Sequence, residues 1–242
     1  MGHVVAGLAE NNSDVKIICR VDAFGNSTYS FPVYKSFEDI TEQADVIVDF
    51  SNPATLDGLL AFAKSNKIPA VICTTGYSAE QVESIKKASG EIAIFYSGNM
   101  SLGVNLIIEL AKQATKVLGR DFDIEIVEKH HNLKVDAPSG TALMIADGIS
   151  EELDKEPQYV YDRHSYRRKR SKNEIGIHAI RGGTIVGEHD VIFAGPDEVV
   201  TISHQSQSKG LFATGALNAA VFLCGKPAGM YDMSMMLAEK LG

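Results

Sequence analysis

No apolar run in this chain is long enough to cross a bilayer, and no basic stretch leads into an apolar block at its start. Neither a membrane span nor a secretory signal is therefore expected. Cysteine is scarce. Cys19, Cys73 and Cys224 lie far apart, which excludes a disulfide framework or a clustered thiolate metal site and points to reduced thiols in the cytoplasm. Positive charge is short as well, with 23 Lys+Arg against 31 Asp+Glu and a net charge of −8. That balance speaks against nucleic acid as the main partner. An anionic substrate must then be drawn by a local group of cations, because the global field repels it. What the 242 residues do offer is ordinary apolar content, enough for one large core or two modest ones.

Up to Leu118 the chain alternates between short apolar runs and helical periodicity. Strands are expected over residues 15–21, 46–50, 70–73 and 92–96, and helices near residues 55–64, 79–88 and 104–118. Such alternation predicts a parallel sheet covered on both faces. Ligands of these sheets gather at the carboxyl ends of the strands, which puts Phe50, Thr74, Thr75, Gly76, Gly98, Asn99 and Met100 on the ligand side. Taken alone, Thr74-Thr75-Gly76 and Gly98-Asn99 are also common turn chemistry. Met1 to Leu8 reads as the opening of a helix. Gly2 to Asp22 has the ~20-residue spacing expected between the glycines of a dinucleotide-binding βαβ unit and its acidic residue.

After Asp121 the pattern changes. Strands are expected over residues 174–180, 184–186, 189–194 and 198–203, with apolar and polar residues alternating as in a half-buried mixed or antiparallel sheet. The basic stretch Arg163, His164, Arg167, Arg168, Lys169, Arg170 and Lys172 is expected to be a solvated loop. His178, His189 and His204 read as hydrogen-bonded structural residues, since no metal-type spacing links them. A long helix is expected from Gly210 to Cys224, and the methionines near the end read as core filler.

One stretch concentrates chemistry: Glu128-Lys129-His130-His131-Asn132-Leu133-Lys134-Val135-Asp136-Ala137-Pro138-Ser139-Gly140-Thr141-Ala142. It follows a short strand around Ile124, Ile126 and Val127 and reads as a cationic loop, a turn and a helix start. A helix start offers unpaired amides and the positive end of the dipole, which suits a carboxylate. Imidazoles and an ammonium beside it suit a small acid that also needs a proton. Adjacent histidines in a loop are often merely solvated, and Asp136 or Ser139 could simply cap the helix.

This stretch resembles the signature of the 4-hydroxy-tetrahydrodipicolinate reductase (dihydrodipicolinate reductase) family, Glu-x-His-His-x-x-Lys-x-Asp-x-Pro-Ser-Gly-Thr-Ala, at every fixed position. Arg181-Gly182-Gly183 and Gly187-Glu188-His189 also match the family pattern. The resemblance implies a Rossmann-like, doubly wound α/β domain from residues 1–100 and 210–242. It also implies an α+β domain with a mixed sheet, residues 101–209, for substrate binding and oligomerisation as a homotetramer. The implied activity is the NAD(P)H-dependent reduction of the dehydrated form of 4-hydroxy-tetrahydrodipicolinate in lysine and diaminopimelate biosynthesis. His130 is then the acid/base and Lys134 the second proton source and counter-charge. His131, Lys134, Gly140 and Thr141 would hold the substrate. Met1, Gly2, Asp22, Phe50, Cys73, Thr74, Thr75, Ser97, Gly98, Asn99 and Met100 would line the cofactor. No metal is implied.

Two features depart from the family. Cys73 replaces the first glycine of its Gly-Thr-Thr-Gly turn. The family's Gly-x-x-Gly-x-Met-Gly turn would end at Met1-Gly2, so its first strand and most of the phosphate loop fall outside this sequence. A misplaced start or a boundary of the expressed piece is the expected cause. Asp22 favours NADH by bonding the ribose 2′-hydroxyl, while Arg20, two residues back on the same strand face, moderates that preference. Two other readings are another small-acid reductase on the same scaffold and a non-catalytic dicarboxylate-binding relic.

Overall fold

The computed structural model describes residues 1–24, 29–119 and 121–241. They fall into two compact units, Met1–Ser101 with Gly210–Gly242, and Leu102–Lys209. The first unit begins with α1 (Gly2–Ala9), β1 (Arg20–Val21) and β2 (Val33–Tyr34). It continues with β3 (Ile47–Asp49), α2 (Leu56–Asn66), β4 (Ala70–Ile72), α3 (Ala79–Ala88) and β5 (Ala93–Tyr96). The expected strand over residues 15–21 shrinks to β1, which pairs in parallel with the unanticipated β2. A strand needs a ladder partner, and none of the described strands runs beside residues 15–19, so that apolar run stays irregular. Val15 and Ile17 still pack against Val5, Ala9, Ala213 and Leu217. Hydrophobic pattern alone does not make a strand.

The second unit holds α4 (Leu102–Leu118), β6 (Asp123–His130), α5 (Gly140–Glu151), β7 (Gln158–Val160), β8 (Glu174–Arg181), β9 (Gly187–Ala194) and β10 (Val199–Ser206). Its five strands run in the order β10-β9-β6-β8-β7, with β6 antiparallel to β9 and parallel to β8. The alternation along β6 is strict: Ile124, Ile126, Glu128 and His130 are buried, while Asp123, Glu125, Val127 and Lys129 are only half-buried. The inward set meets a core of Ile107, Ala111, Ile145, Ile149, Ile177 and Phe193 drawn from α4, α5, β8 and β9. Residues 184–186, expected as a strand, form the turn between β8 and β9. These two strands flank β6 and cannot pair with each other.

Two arginines of the basic stretch are likewise not solvated. Arg163 bonds Glu174 Oε1 at 2.5 Å and Glu125 Oε1 at 2.7 Å. Arg170 bonds Glu125 Oε1 at 2.9 Å and Asp123 Oδ1 at 3.0 Å. Arg167, Arg168, Lys169 and Lys172 are exposed. The segment is thus pinned chiefly by two of its cations, with Lys172 a looser 3.9 Å from Asp123 and Arg168 lying over the Tyr166 ring.

The chain then returns to the first unit with α6 (Gly210–Leu223), β11 (Gly229–Tyr231) and α7 (Met233–Leu241). β11 adds to the parallel sheet in the order β11-β5-β4-β3, a strand that its short Gly-Met-Tyr sequence did not announce. Ala70, Val71, Ile72, Ile94 and Phe95 have no exposed surface, as a sheet covered on both faces demands. Leu56, Leu59, Leu60 and Ile85 cover one face from α2 and α3. α6 packs on β3, β4 and β5 and also meets α1. Met233 and Met236 are buried, and Met235 is exposed.

Within this unit α6 approaches the turn after β5 at Gly215, where a β-carbon would run into the Met100 carbonyl oxygen. Backbone cannot swing aside as a side-chain tip can. Gly215→Ala should therefore lower stability by ~1–3 kcal/mol, seen as a reduced urea midpoint. An unchanged midpoint would mean that α6 and this turn are not in close contact.

Candidate active site

The second unit gathers titratable groups where β6 ends. His130 is the last residue of β6, not a loop residue as the pattern suggested; the strand runs through Glu128, Lys129 and His130 because β8 and β9 pair with it there. Its inward face therefore carries a carboxylate and an imidazole two positions apart. His130 Nδ1 lies 2.6 Å from Glu128 Oε2, and Glu128 has no exposed surface. Arg181, the register partner of His130 on β8, grips the same carboxylate with Nη1 and Nη2, each at 2.7 Å. The Ser139 amide donates to Glu128 Oε1 at 3.0 Å. Burial pushes the Glu128 carboxyl up, but the guanidinium, the imidazole and the amide outweigh it and hold the group below the usual range.

Ser139 is also the N-cap of α5, its hydroxyl accepting from the Ala142 amide at 3.2 Å. That hydroxyl lies 3.1 Å from His189 Nε2 on β9. Gly140 follows on the surface with nothing within 4 Å of where a β-carbon would stand, so the first turn of α5 is open on that side. The His189 ring meets the His130 ring edge-on at 5.3 Å. Burial, and the charge His130 can carry, press the His189 pKa down to about 4. His189 is thus neutral beside His130.

After β6 the chain turns back on itself. The His130 carbonyl accepts from Gly182 N at 2.9 Å, and Asn132 N donates to the Gly183 carbonyl at 3.2 Å. Lys134 reaches Asp136 Oδ1 at 2.8 Å. The Lys134 ammonium, together with backbone amides that include Gly140's, holds the Asp136 carboxyl below its usual value. A carboxylate of the chain itself thus sits between the lysine and the start of α5, the two groups expected to hold an acid. His131 is half-buried, and Leu133 and Val135 are exposed around it. So Lys134 and Gly140 meet at the Asp136 carboxylate, His130 is tied through Glu128 to Ser139 at the start of α5, and His131 lies in the loop between.

In the first unit the predicted residues occupy the carboxyl ends of three adjacent parallel strands. Phe50 follows β3, Cys73, Thr74 and Thr75 follow β4, and Ser97, Gly98, Asn99 and Met100 follow β5. Thr74 Oγ1 accepts from Ser51 N at 2.8 Å, and Asn99 Oδ1 accepts from Ser101 N at 2.8 Å, so these turns are braced by their own side chains. The Cys73 thiol is buried against the Val71 carbonyl and its pKa is pushed up by burial; this residue offers backbone, not sulfur. Met100 is buried too. Met1 gives α1 no side-chain cap, and the Arg20 guanidinium stands beside Gly2. Asp22 is held by Arg20 Nη2 at 2.5 Å and accepts from Phe24 N at 3.0 Å.

Sequence reasoning passed over Glu128, Arg181, Ser139 and His189 as functional groups. Glu128 was visible only as a fixed position of a pattern and Ser139 as a possible helix cap, which it is, while Arg181 and His189 lie some fifty positions away and arrive by strand pairing. The available signal was the period-2 alternation of β6, which puts an acid on the apolar face, where a partner is obligatory. Asp49 is a second such group, buried at the end of β3 and bonded to Ser51 and Tyr77.

Two family models match this chain: dihydrodipicolinate reductase, N-terminus, over residues 1–100, and dihydrodipicolinate reductase, C-terminus, over residues 103–237. The 4-hydroxy-tetrahydrodipicolinate reductase of Caldanaerobacter subterraneus subsp. tengcongensis is 54% identical over 239 residues, covering 99% of this chain and 94% of that protein. Its namesake from Clostridium tetani is 48% identical over 237 residues, covering 98% and 92%. Among solved structures, a dipicolinate-bound dihydrodipicolinate reductase from Paenisporosarcina sp. TG-14 superposes with a TM-score of 0.79 at 22% identity. It covers 96% of this chain and 92% of that one, a likeness of fold.

The buried neutral His189 gives a pH signature. Its folded pKa of about 4 lies below the ordinary 6.5, so between those values the unfolded chain takes up a proton that the folded chain refuses. Stability from this residue is fully present above pH 6.5 and is lost as the pH falls toward about 4. His189→Asn should flatten the fall in urea midpoint between pH 7 and pH 4, by on the order of 3 kcal/mol. Identical slopes for the two proteins would show that His189 takes up its proton freely in the fold.

Proposed function

The chain belongs to the dihydrodipicolinate reductase family, and we propose that it reduces the dehydrated form of 4-hydroxy-tetrahydrodipicolinate to tetrahydrodipicolinate in the cytoplasm, in lysine and diaminopimelate biosynthesis. One observation carries the chemistry: an imidazole, an ammonium and the first turn of α5 surround one loop, with a carboxylate already lodged among them. A ring bearing two carboxylates fits that arrangement. One carboxylate takes the place of Asp136 against Lys134 and the Gly140 and Thr141 amides, where the helix dipole favours negative charge. His131 contacts the ring from the same loop. His130 supplies the proton that must follow a hydride onto an unsaturated ring, and Lys134 offsets the negative charge and is the second proton source.

The residues of the first unit fit a reduced nicotinamide dinucleotide. The α1 start has no side-chain cap to occupy its amides, and an acid and a guanidinium lie beside Gly2, where a ribose and its phosphate would be read. Met1, Gly2, Asp22, Phe50, Cys73, Thr74, Thr75, Ser97, Gly98, Asn99 and Met100 would line it, with Cys73 contributing backbone. When bound, the cofactor supplies the hydride; the protein supplies orientation and charge. Asp22 takes the ribose hydroxyls and favours NADH, and Arg20 at 2.5 Å softens the discrimination. Residues 101–209 form the substrate and assembly domain. The outer face of its sheet, with Ile180 and Val199 exposed, suits a homotetramer.

The test is a coupled assay that generates the unstable substrate in place and follows cofactor oxidation, with calorimetry against pyridine-2,6-dicarboxylate. Turnover should be present, and Lys134→Ala should lower kcat by ~10²-fold or more while the fold persists. Normal turnover of that variant would remove the lysine from the chemistry. Binding of the diacid with no turnover would leave only a binding protein. In the same assay kcat/KM should be higher with NADH than with NADPH, and Asp22→Asn should narrow the ratio. A preference for NADPH would reverse the reading of Asp22.

A further inference from the structure

We propose that Glu128, with Arg181 behind it, is the positioning residue that fixes the tautomer of His130 and ties it to the anion-binding turn. The inference rests on the reading of His130 as proton donor. An ionised carboxylate has about four acceptor sites. Glu128 uses its two oxygens for four partners: Arg181 Nη2 and Ser139 N on Oε1, and Arg181 Nη1 and His130 Nδ1 on Oε2.

Guanidinium and amide are obligate donors, so the carboxylate faces donors only and has no room for a proton of its own. His130 Nδ1 must then carry the hydrogen. The neutral imidazole accordingly holds its lone pair on Nε2, and the cation holds its transferable proton there. Nε2 faces Gly187 on β9, where a β-carbon would come within 3.0 Å of it, so the glycine is what leaves room for the ring edge that carries Nε2.

The proton transfer then has one direction. The Nε2–H bond of the imidazolium breaks, its electron pair stays on the ring, and the proton joins the substrate atom that carries the charge left by the hydride. His130 ends as the Nδ1–H tautomer, still bonded to Glu128, and is recharged from solvent. Arg181 keeps Glu128 ionised throughout, so the carboxylate stabilises the cation before transfer and orients the ring after it, the division of labour of an acid–histidine pair. The fourth partner adds a link. Because Ser139 hangs on Oε1 and also caps α5, the same carboxylate sets the distance between proton donor and anion-binding amides.

The tautomer can be read on the wild-type protein by ¹⁵N spectroscopy of its imidazoles at alkaline pH. His130 should be protonated on Nδ1, and a signal from the Nε2–H tautomer would overturn the proposal whether or not any variant folds. For the variants, Glu128→Gln should lower kcat by ~10²-fold or more while KM for the substrate changes by less than about threefold, with Glu128→Asp recovering part of the rate. Loss confined to KM would show that Glu128 merely shapes the turn, and unchanged kcat in a folded Glu128→Gln protein would remove it from the reaction. An inactive wild type would sink the functional reading instead, and the tautomer measurement would still decide the positioning claim.

Discussion

A carboxylate taken out of water is unfavourable by several kcal/mol, roughly, unless every lone pair meets a donor, and Glu128 is wholly enclosed. Its four donor atoms come from three residues: two from Arg181 on β8, one from His130 on its own strand, and one from Ser139 at the start of α5. None of the three can move without leaving the charge short of a partner. That constraint, together with the pairing of β6 to β8 and β9, fixes how the loop after β6 is hung. It also explains why the loop can carry exposed apolar residues: Leu133 and Val135 stand in solvent on a segment whose two ends are tied down.

The charge pattern resolves the problem set by a net charge of −8. A dianion approaching this protein is repelled overall, so attraction has to be local and short-ranged. On the proposed reading, Lys134 and the amides of α5 would supply it. Asp136 would then neutralise the lysine when no acid is bound and give way to one that is better placed. Its carboxylate is well exposed, so the pair itself contributes little to stability and can be exchanged readily. The two Nη atoms of Arg181, by contrast, are taken up by Glu128 and by the Ile180 and Asp136 carbonyls, while Nε is buried with no hydrogen-bond partner among the described residues.

Much of this was legible in the residues. The alternation of strands and helices up to Leu118 gave the parallel sheet, since a strand buried on both faces reads as a plain apolar run: Ala70-Val71-Ile72 and Ala93-Ile94-Phe95. The Glu128–Ala142 pattern carried the family. What escaped was whatever depends on a partner distant in the chain. Residues 15–19 had the composition of a strand and, among the described residues, have no strand beside them, whereas Gly229-Met230-Tyr231 lacked the composition and gained a neighbour in β5. Arg163 and Arg170 read as solvated because their acids, Glu125 and Glu174, are brought to them by the sheet. His130 read as a loop residue because the sequence shows where apolar alternation ends, not where backbone pairing ends.

The period of two along β6 allows one strand to serve two unlike purposes. Its inward glutamate, Glu128, is paired with Arg181 and His130, and its outward glutamate, Glu125, with Arg163, Arg170 and His178. Each acid collects an arginine from another segment, so each face of the strand anchors something: His130 on one side, the basic stretch on the other. Gly176 on β8 is required by the second arrangement, since a β-carbon there would overlap the Glu125 carboxylate. A register slip of one residue would turn Glu125 into the apolar core and Glu128 out to solvent, leaving Arg181 without its acid and His130 without its orienting partner. The hydrophobic pattern and the charge pattern therefore specify the same register. Ile124 and Ile126 must face inward for the core to close, and when they do, Glu128 and His130 are carried inward with them.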